Sequence, residues 1–377
     1  MNKDGVELMD IHLNPGVLSP DQMRSLITAG VIRDFAGNSE DIDGSSIDLH
    51  LGDRLYQMKG SIKGTSSDQY AKVLMKYKES DRVLDENGSR LEVKKTYVIR
   101  ISESLNLSKG VYLYRYATAK SSIGRLDVLV RMIADYSDRF DEFPSPETLP
   151  HGTASVDLYA EITPLTFPII VYRGNSVNQL RFIWGSPELS LIPTSHLKYY
   201  GRIMSDDSNP DQLSVNLSPA DFGNGIKIPA FRAKKDTNIP IDLNSKEGSI
   251  DPRQFWVPEP VVDRIMLEIR PEEFYIIRSK GRFTVPENVA VYARAMTESL
   301  GELRIHYAGF VHPGFGRKQE QGTPLIFEVR GHNVTTFLRD GETLANLQYF
   351  RMSEPTQGKS PYDKQELKLS KYFRDWS

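Results

Sequence analysis

The chain has 377 residues, 39% of them hydrophobic and 26% charged, with a formal net charge of −3. That length accommodates two ordinary domains, and that balance describes a folded globular protein without the general cationic footprint of a nucleic-acid binder. Cysteine is absent, which removes disulfides, thiol nucleophiles, iron–sulfur clusters and Cys-ligated zinc.

No apolar run approaches the length of a membrane helix, and the start, MNKDGVELMD, has no apolar core behind a basic region. A cytoplasmic protein without membrane contact is expected. The seven histidines form neither HExxH nor HxH, so no protein-borne metal site is expected.

The first predicted element is a helix in SPDQMRSLITAG. Ser19 can cap it, Pro20 suits its first position and Asp21 its positive dipole end. Met23, Leu26 and Ile27 supply an apolar face, and Gly30 ends it. After it the chain reads as short strands broken by Gly, Pro and Asn. In LDVLVRMIA, Leu126, Val128, Val130, Met132 and Ala134 share one face. In SVDLYAEIT, Val156, Leu158, Ala160 and Ile162 point one way, while Asp157, Tyr159, Glu161 and Thr163 point the other. Many short strands with few helices predict a barrel or sandwich.

The chain also repeats itself. SIDL at 46–49 returns as SVNL at 214–217, and Glu161, Gly174 and Leu180 each have a counterpart 167 positions on, at Glu328, Gly341 and Leu347. SSIGRL at 121–126 returns as ESLGEL at 298–303. Two copies of one β-rich unit follow, 1–205 and 206–377, with the turn-prone DDSNPD at 206–211 as the seam.

Two features carry possible chemistry. KSSIGR places an ammonium, two hydroxyls and a guanidinium in one turn, a set that suits phosphate oxygens; the ordinary alternative is a solvated turn. It is not a P-loop, because GxxxxGK[ST] is absent. Glu161 stands mid-strand, either as a solvated carboxylate or as a rigidly held general acid/base.

Four stretches, VLSPDQMRSLITAGVI, GSSIDLHLGDRLY, TAKSSIGRLDVLVRMIADYSDRF and LYAEITPLTFPIIVYRGNSVNQLRF, resemble the dCTP deaminase family, relatives of the trimeric dUTPases. LKLSKYFRDW resembles the tail of its double-length branch. The resemblance is weakest over residues 55–95 and 185–250. It implies a mainly β fold: two tandem dUTPase-like distorted β-barrel or jelly-roll units with a short N-terminal helix, and sites at unit interfaces in a homo-oligomer with trimer-like packing.

The implied reaction is zinc-independent hydrolysis of dCTP to dUTP and ammonia, feeding dTTP synthesis, with dTTP a candidate inhibitor and Mg²⁺ carried by the triphosphate. By the same resemblance Glu161 is the general acid/base, and Ser121 and Arg125 position the water, the base and the groups around Glu161. Lys120 and Ser122 hold the triphosphate. Ala134, Asp138, Tyr159, Ala160 and Gln179 line the nucleotide, and Tyr362 and Gln365 of PYDKQ, near Lys359 and Lys364, belong to a phosphate-covering tail. In the second copy Glu298 and Glu302 replace Ser121 and Arg125, and His312 replaces the aspartate of a family turn. Carboxylates there would repel a triphosphate, so one working site per chain is expected. Two alternatives remain: a dUTPase or bifunctional deaminase–pyrophosphatase, and a non-catalytic nucleotide-binding protein.

Overall fold

The computed structural model describes residues 14–109, 112–205, 209–222, 227–260, 266–295, 303–305, 309–358 and 362–376. Positions 206–208 of the seam, Glu298, Glu302 and Lys359 lie outside them. The predicted helix is α1, Pro20–Thr28. Ser19 Oγ accepts from the Gln22 N–H at 3.3 Å while the Gln22 side chain accepts from the Ser19 N–H at 3.0 Å, a full capping box. Met23 and Leu26 are buried, and Gly30 follows the helix at φ +69°.

In the first copy the main strands are β1 (Ser46–Met58), β2 (Thr96–Asn106), β3 (Leu113–Ala119), β4 (Val128–Ala134), β5 (Ser155–Pro164) and β6 (Ser176–Trp184). Two short helices interrupt them, α2 (Tyr70–Tyr77) and α3 (Ser121–Gly124). In the second copy the corresponding strands are β7 (Gln212–Asn216), β8 (Phe274–Phe283), β9 (Val289–Ala295), β10 (Gly309–Val311), β11 (Thr323–Gly331) and β12 (Thr343–Arg351).

The pairing order repeats. β3 pairs with β6, β6 with β1, β1 with β2, and β2 with β5; likewise β9 pairs with β12, β12 with β7, β7 with β8, and β8 with β11. The chain is mainly β, in two curled half-barrel sheets with few helices, as the strand pattern predicted. Antiparallel neighbours with one face on the core follow from that alternation.

The two copies are interlocked. One core cluster joins Leu49, Ile99 and Phe182 of the first copy to Phe231, Trp256 and Phe274 of the second. The chain end returns to the same cluster through Leu367, Leu369 and Phe373, and burying each such side chain is worth about 1.5–3 kcal/mol. Asp127, fully buried after α3, forms an ion pair with Arg330 on β11, and Thr166 also donates to it. A pair this enclosed fixes register more than it adds stability.

The faces of β5 are assigned as the alternation predicts, but on the second face Tyr159 and Glu161 are covered, with Asp157 and Thr163 left part-exposed. Val156, Leu158, Ala160 and Ile162 enter the main core. Tyr159 enters a smaller cluster with Tyr70, Leu74, Val98 and Ile133, because α2 and the loop before it fold over that side. Gly64 sits so close beneath this cover that an added Cβ would lie 2.5 Å from the Ser137 carbonyl oxygen.

Candidate functional site

A cavity of about 310 Å³ opens between the two copies, lined by Lys120, Ser121, Ser122, Arg125 and Gln179 from the first and by Phe310, His312 and Glu328 from the second. Tyr362, Gln365 and Lys371 of the C-terminal tail also line it. The placement follows from strand order. KSSIGR follows β3, which pairs with β6 at one side of the sheet, whereas β5 lies between β2 and β4 at the other. The fork therefore meets β11 of the second copy instead of β5 of its own.

The residue brought to the fork is Glu328, and Glu161 is elsewhere. Glu161 is 2% exposed and accepts hydrogen bonds from Ser61 Oγ at 2.7 Å and from the Ile62 N–H at 3.2 Å. Tyr70 Oη donates to the Ile62 carbonyl at 3.0 Å, and the Asp135 carboxylate accepts from the Tyr70 N–H at 2.8 Å. Burial raises the Glu161 carboxyl, with the bonds from Ser61 and Ile62 opposing. The loop at 61–70 thus occupies the ground above Glu161. Of the residues grouped with it from the sequence, Tyr159 packs against Tyr70 with ring centroids 5.1 Å apart. Ala134 and Ala160 are buried in the main core and Asp138 is exposed. None of these lines the cavity.

Glu328 is buried, and its carboxyl is pushed up from the ordinary 4.5 to about 8. Burial is the main cause; the Arg125 charge opposes it and Asp127 reinforces it. Arg125 is itself buried, which lowers its guanidinium from the ordinary value. It donates to the Gln365 side-chain oxygen at 2.8 Å and to the Lys368 carbonyl at 3.0 Å, and lies 3.8 Å from the centroid of the Tyr362 ring. Ser370 Oγ donates to the Ser122 carbonyl at 2.6 Å. The tail residues named from the sequence, Tyr362 and Gln365, therefore close over the guanidinium. Lys120 forms an ion pair with Asp48, which burial would otherwise raise further. Gln179 accepts from Ser46 Oγ at 3.1 Å.

Sequence reasoning missed Ser61, Tyr70 and Asp48, and it missed Arg181, which also lines the cavity. The repeat identified Glu328 as the counterpart of Glu161 but had no signal for which of the two meets the fork. Among the described residues no cluster of three metal-ligating side chains occurs.

A chemically coherent arrangement results. A raised carboxyl, a buried guanidinium and hydroxyls line one space of about 310 Å³, and groups of this kind support proton transfer beside a bound anion.

Comparisons with known proteins agree with this organisation. Residues 14–186 match the family model of the 2'-deoxycytidine 5'-triphosphate deaminase N-terminal domain, and residues 200–373 that of its C-terminal domain. The crystal structure of 2'-deoxycytidine 5'-triphosphate deaminase from Agrobacterium tumefaciens superposes with a TM-score of 0.80 at 30% identity, over 90% of this chain and 99% of that one. A dUTPase from phage phi11 of S. aureus, with a structural Mg(II) ion, is far more distant: 13% identity over 27% of this chain and 80% of that one, with a TM-score of 0.21. A comparison with curated proteins finds no match. Two consecutive family domains and a full-length structural relative, laid over a doubled sheet with a cavity at its junction, place the chain in the 2'-deoxycytidine 5'-triphosphate deaminase family.

Proposed function

We propose that the chain hydrolyses dCTP to dUTP and ammonia in the cavity between its two copies, with Glu328 as the general acid/base. The activity follows from family membership. The assignment of Glu328 rests on one observation: it shares the cavity with Lys120, Ser121, Ser122 and Arg125, whereas Glu161 is capped by its own loop.

Deamination adds a water oxygen to C4 of cytosine while N3 gains a proton, and then expels the amino nitrogen as ammonia with a second proton. One carboxylate near neutrality can take a proton from water and give it to N3, then take the second proton from the C4 hydroxyl and give it to the amino nitrogen as the C4–N bond breaks and C4=O forms. Burial holds the Glu328 carboxyl in that range. Arg125 supplies the neighbouring charge that favours the ionised form, and Ser121 is the hydroxyl available to orient water. Lys120 and Ser122 hold the triphosphate together with Tyr362 and Gln365 of the tail, and Gln179 lines the nucleotide. Mg²⁺ enters as part of the Mg–nucleotide substrate. Ala134, Asp138, Tyr159 and Ala160 have no part in this cavity.

The division at about residue 206 gives one such site per chain, and trimer-like packing of units into a homo-oligomer would enclose it. Among the described residues no helix is long and apolar enough to cross a membrane, and we place the reaction in the cytoplasm.

The test is turnover of dCTP and dUTP side by side, with ammonia and pyrophosphate both measured. Ammonia from dCTP is expected, and Glu328→Gln should bind dCTP while losing about 10²- to 10⁴-fold in kcat. Pyrophosphate release without ammonia would replace the deaminase reading with a pyrophosphatase one.

A further inference from the structure

Arg181 is a buried cation that the reaction above does not use. It follows Gln179 by two residues on β6, so both side chains face the cavity. Arg181 is 4% exposed. Its Nη1 donates to Thr118 Oγ1 at 2.8 Å, and the guanidinium lies 3.9 Å from the centroid of the Phe310 ring. Its Nε has no hydrogen-bond partner. Thr118 and Phe310 thus fix the plane of the group in the cavity wall.

The other cations of the cavity are already engaged. Lys120 is paired with Asp48, and Lys371 with Glu247 at 2.8 Å. Arg125 is held by Gln365, the Lys368 carbonyl and the Tyr362 ring. Among the described residues Arg181 makes no ion pair; the carboxylate that acts on it, Asp48, is already paired with Lys120 and offsets its burial only in part. A buried guanidinium without a counter-anion is costly, and it remains charged at neutral pH because its value falls only to about 9. The missing partner is an anion that enters the cavity.

We propose that Arg181 grips a phosphate group of the nucleotide through guanidinium N–H groups that Thr118 does not engage, as guanidinium groups bind phosphate oxygens. This rests on the reading that the cavity is the deaminase site. Binding supplies the counter-charge that the empty protein lacks, so the residue contributes to affinity for the polyphosphate and does not take part in proton transfer.

The experiment compares wild type, Arg181→Gln and Arg181→Lys in two assays: steady-state dCTP deamination, and thermal stabilisation by inorganic triphosphate. Arg181→Gln should raise KM for dCTP about 10- to 100-fold with kcat within about threefold, and should lose the triphosphate-induced thermal shift. Arg181→Lys keeps the charge without the fork and should fall between the two; it also serves if the glutamine variant fails to fold. An unchanged KM and an unchanged thermal shift in the folded variants would overturn the proposal, as would a loss confined to kcat. If wild type releases no ammonia, the deaminase reading fails on its own, and the triphosphate shift still decides the role of Arg181.

Discussion

Ser61 Oγ donates a 2.7 Å hydrogen bond to the carboxylate of Glu161, and the next residue adds its backbone N–H to the same group. Side chain and main chain of one loop thus satisfy the buried acid from within the first copy. Substitution should therefore disturb folding before it disturbs chemistry. Glu161→Gln and Ser61→Ala are each expected to cost about 1–3 kcal/mol of stability and to leave kcat for dCTP within about threefold. Chemical denaturation alongside turnover measures both. A Glu161→Gln protein of unchanged stability and abolished turnover would return the catalytic role to Glu161.

Glu328 gives a pH signature. Its folded value lies above its ordinary 4.5, at about 8, so the folded state holds the proton more tightly than the unfolded one. The stability this contributes is fully present below about 4.5 and is lost as pH rises toward 8. Subtracting the melting curve of Glu328→Gln from that of wild type, without nucleotide, cancels the other titrations. The difference should fall steadily across that window, and a flat difference would show that Glu328 keeps an ordinary carboxyl.

The same group governs the rate. If Glu328 first takes a proton from water, kcat/KM for dCTP should rise with pH and level off near 8, because this parameter reports the free enzyme. A profile already flat from pH 6 upward would remove it as the base.

The tail closes on Arg125 through the Tyr362 ring at 3.8 Å. Tyr362→Phe keeps that ring but loses the bond that Tyr362 Oη accepts from the Lys371 N–H at 3.1 Å. It should behave nearly as wild type, whereas Tyr362→Ala loses the stacked face and should cost about 1–2 kcal/mol of stability or of nucleotide affinity. Equal effects from the two variants would assign the role to the hydroxyl.

The contact between Arg330 and Asp127 joins the copies through an enclosed charge pair. Arg330→Met leaves the Asp127 carboxylate buried without its cation and should cost about 3–5 kcal/mol. Adding Asp127→Asn should recover part of the loss in a double-mutant cycle, since the stranded charge is removed. Independent, additive losses would mean that the two side chains do not act as a pair.

What could be read from the sequence was local or periodic. The Ser19 cap, the alternation along β5 and the duplication at 46–49 and 214–217 depend on neighbours a few residues apart or on a repeated pattern, and chain chemistry fixes these wherever the segment ends up. The KSSIGR fork was likewise legible as residue types suited to an anion, and the Tyr362–Gln365 tail through the family resemblance alone. Which glutamate faces that fork was not, because Glu161 and Glu328 occupy equivalent places in the repeat, and only the order in which β3, β5 and β11 curl through space separates them. Nor could the sequence show that Ser61 and Tyr70 would seal one of the two, or that Arg181 would be buried beside Phe310 without a counter-charge. Those facts arise from contacts between residues far apart in the chain, where desolvation and hydrogen bonding are set by what the fold brings near.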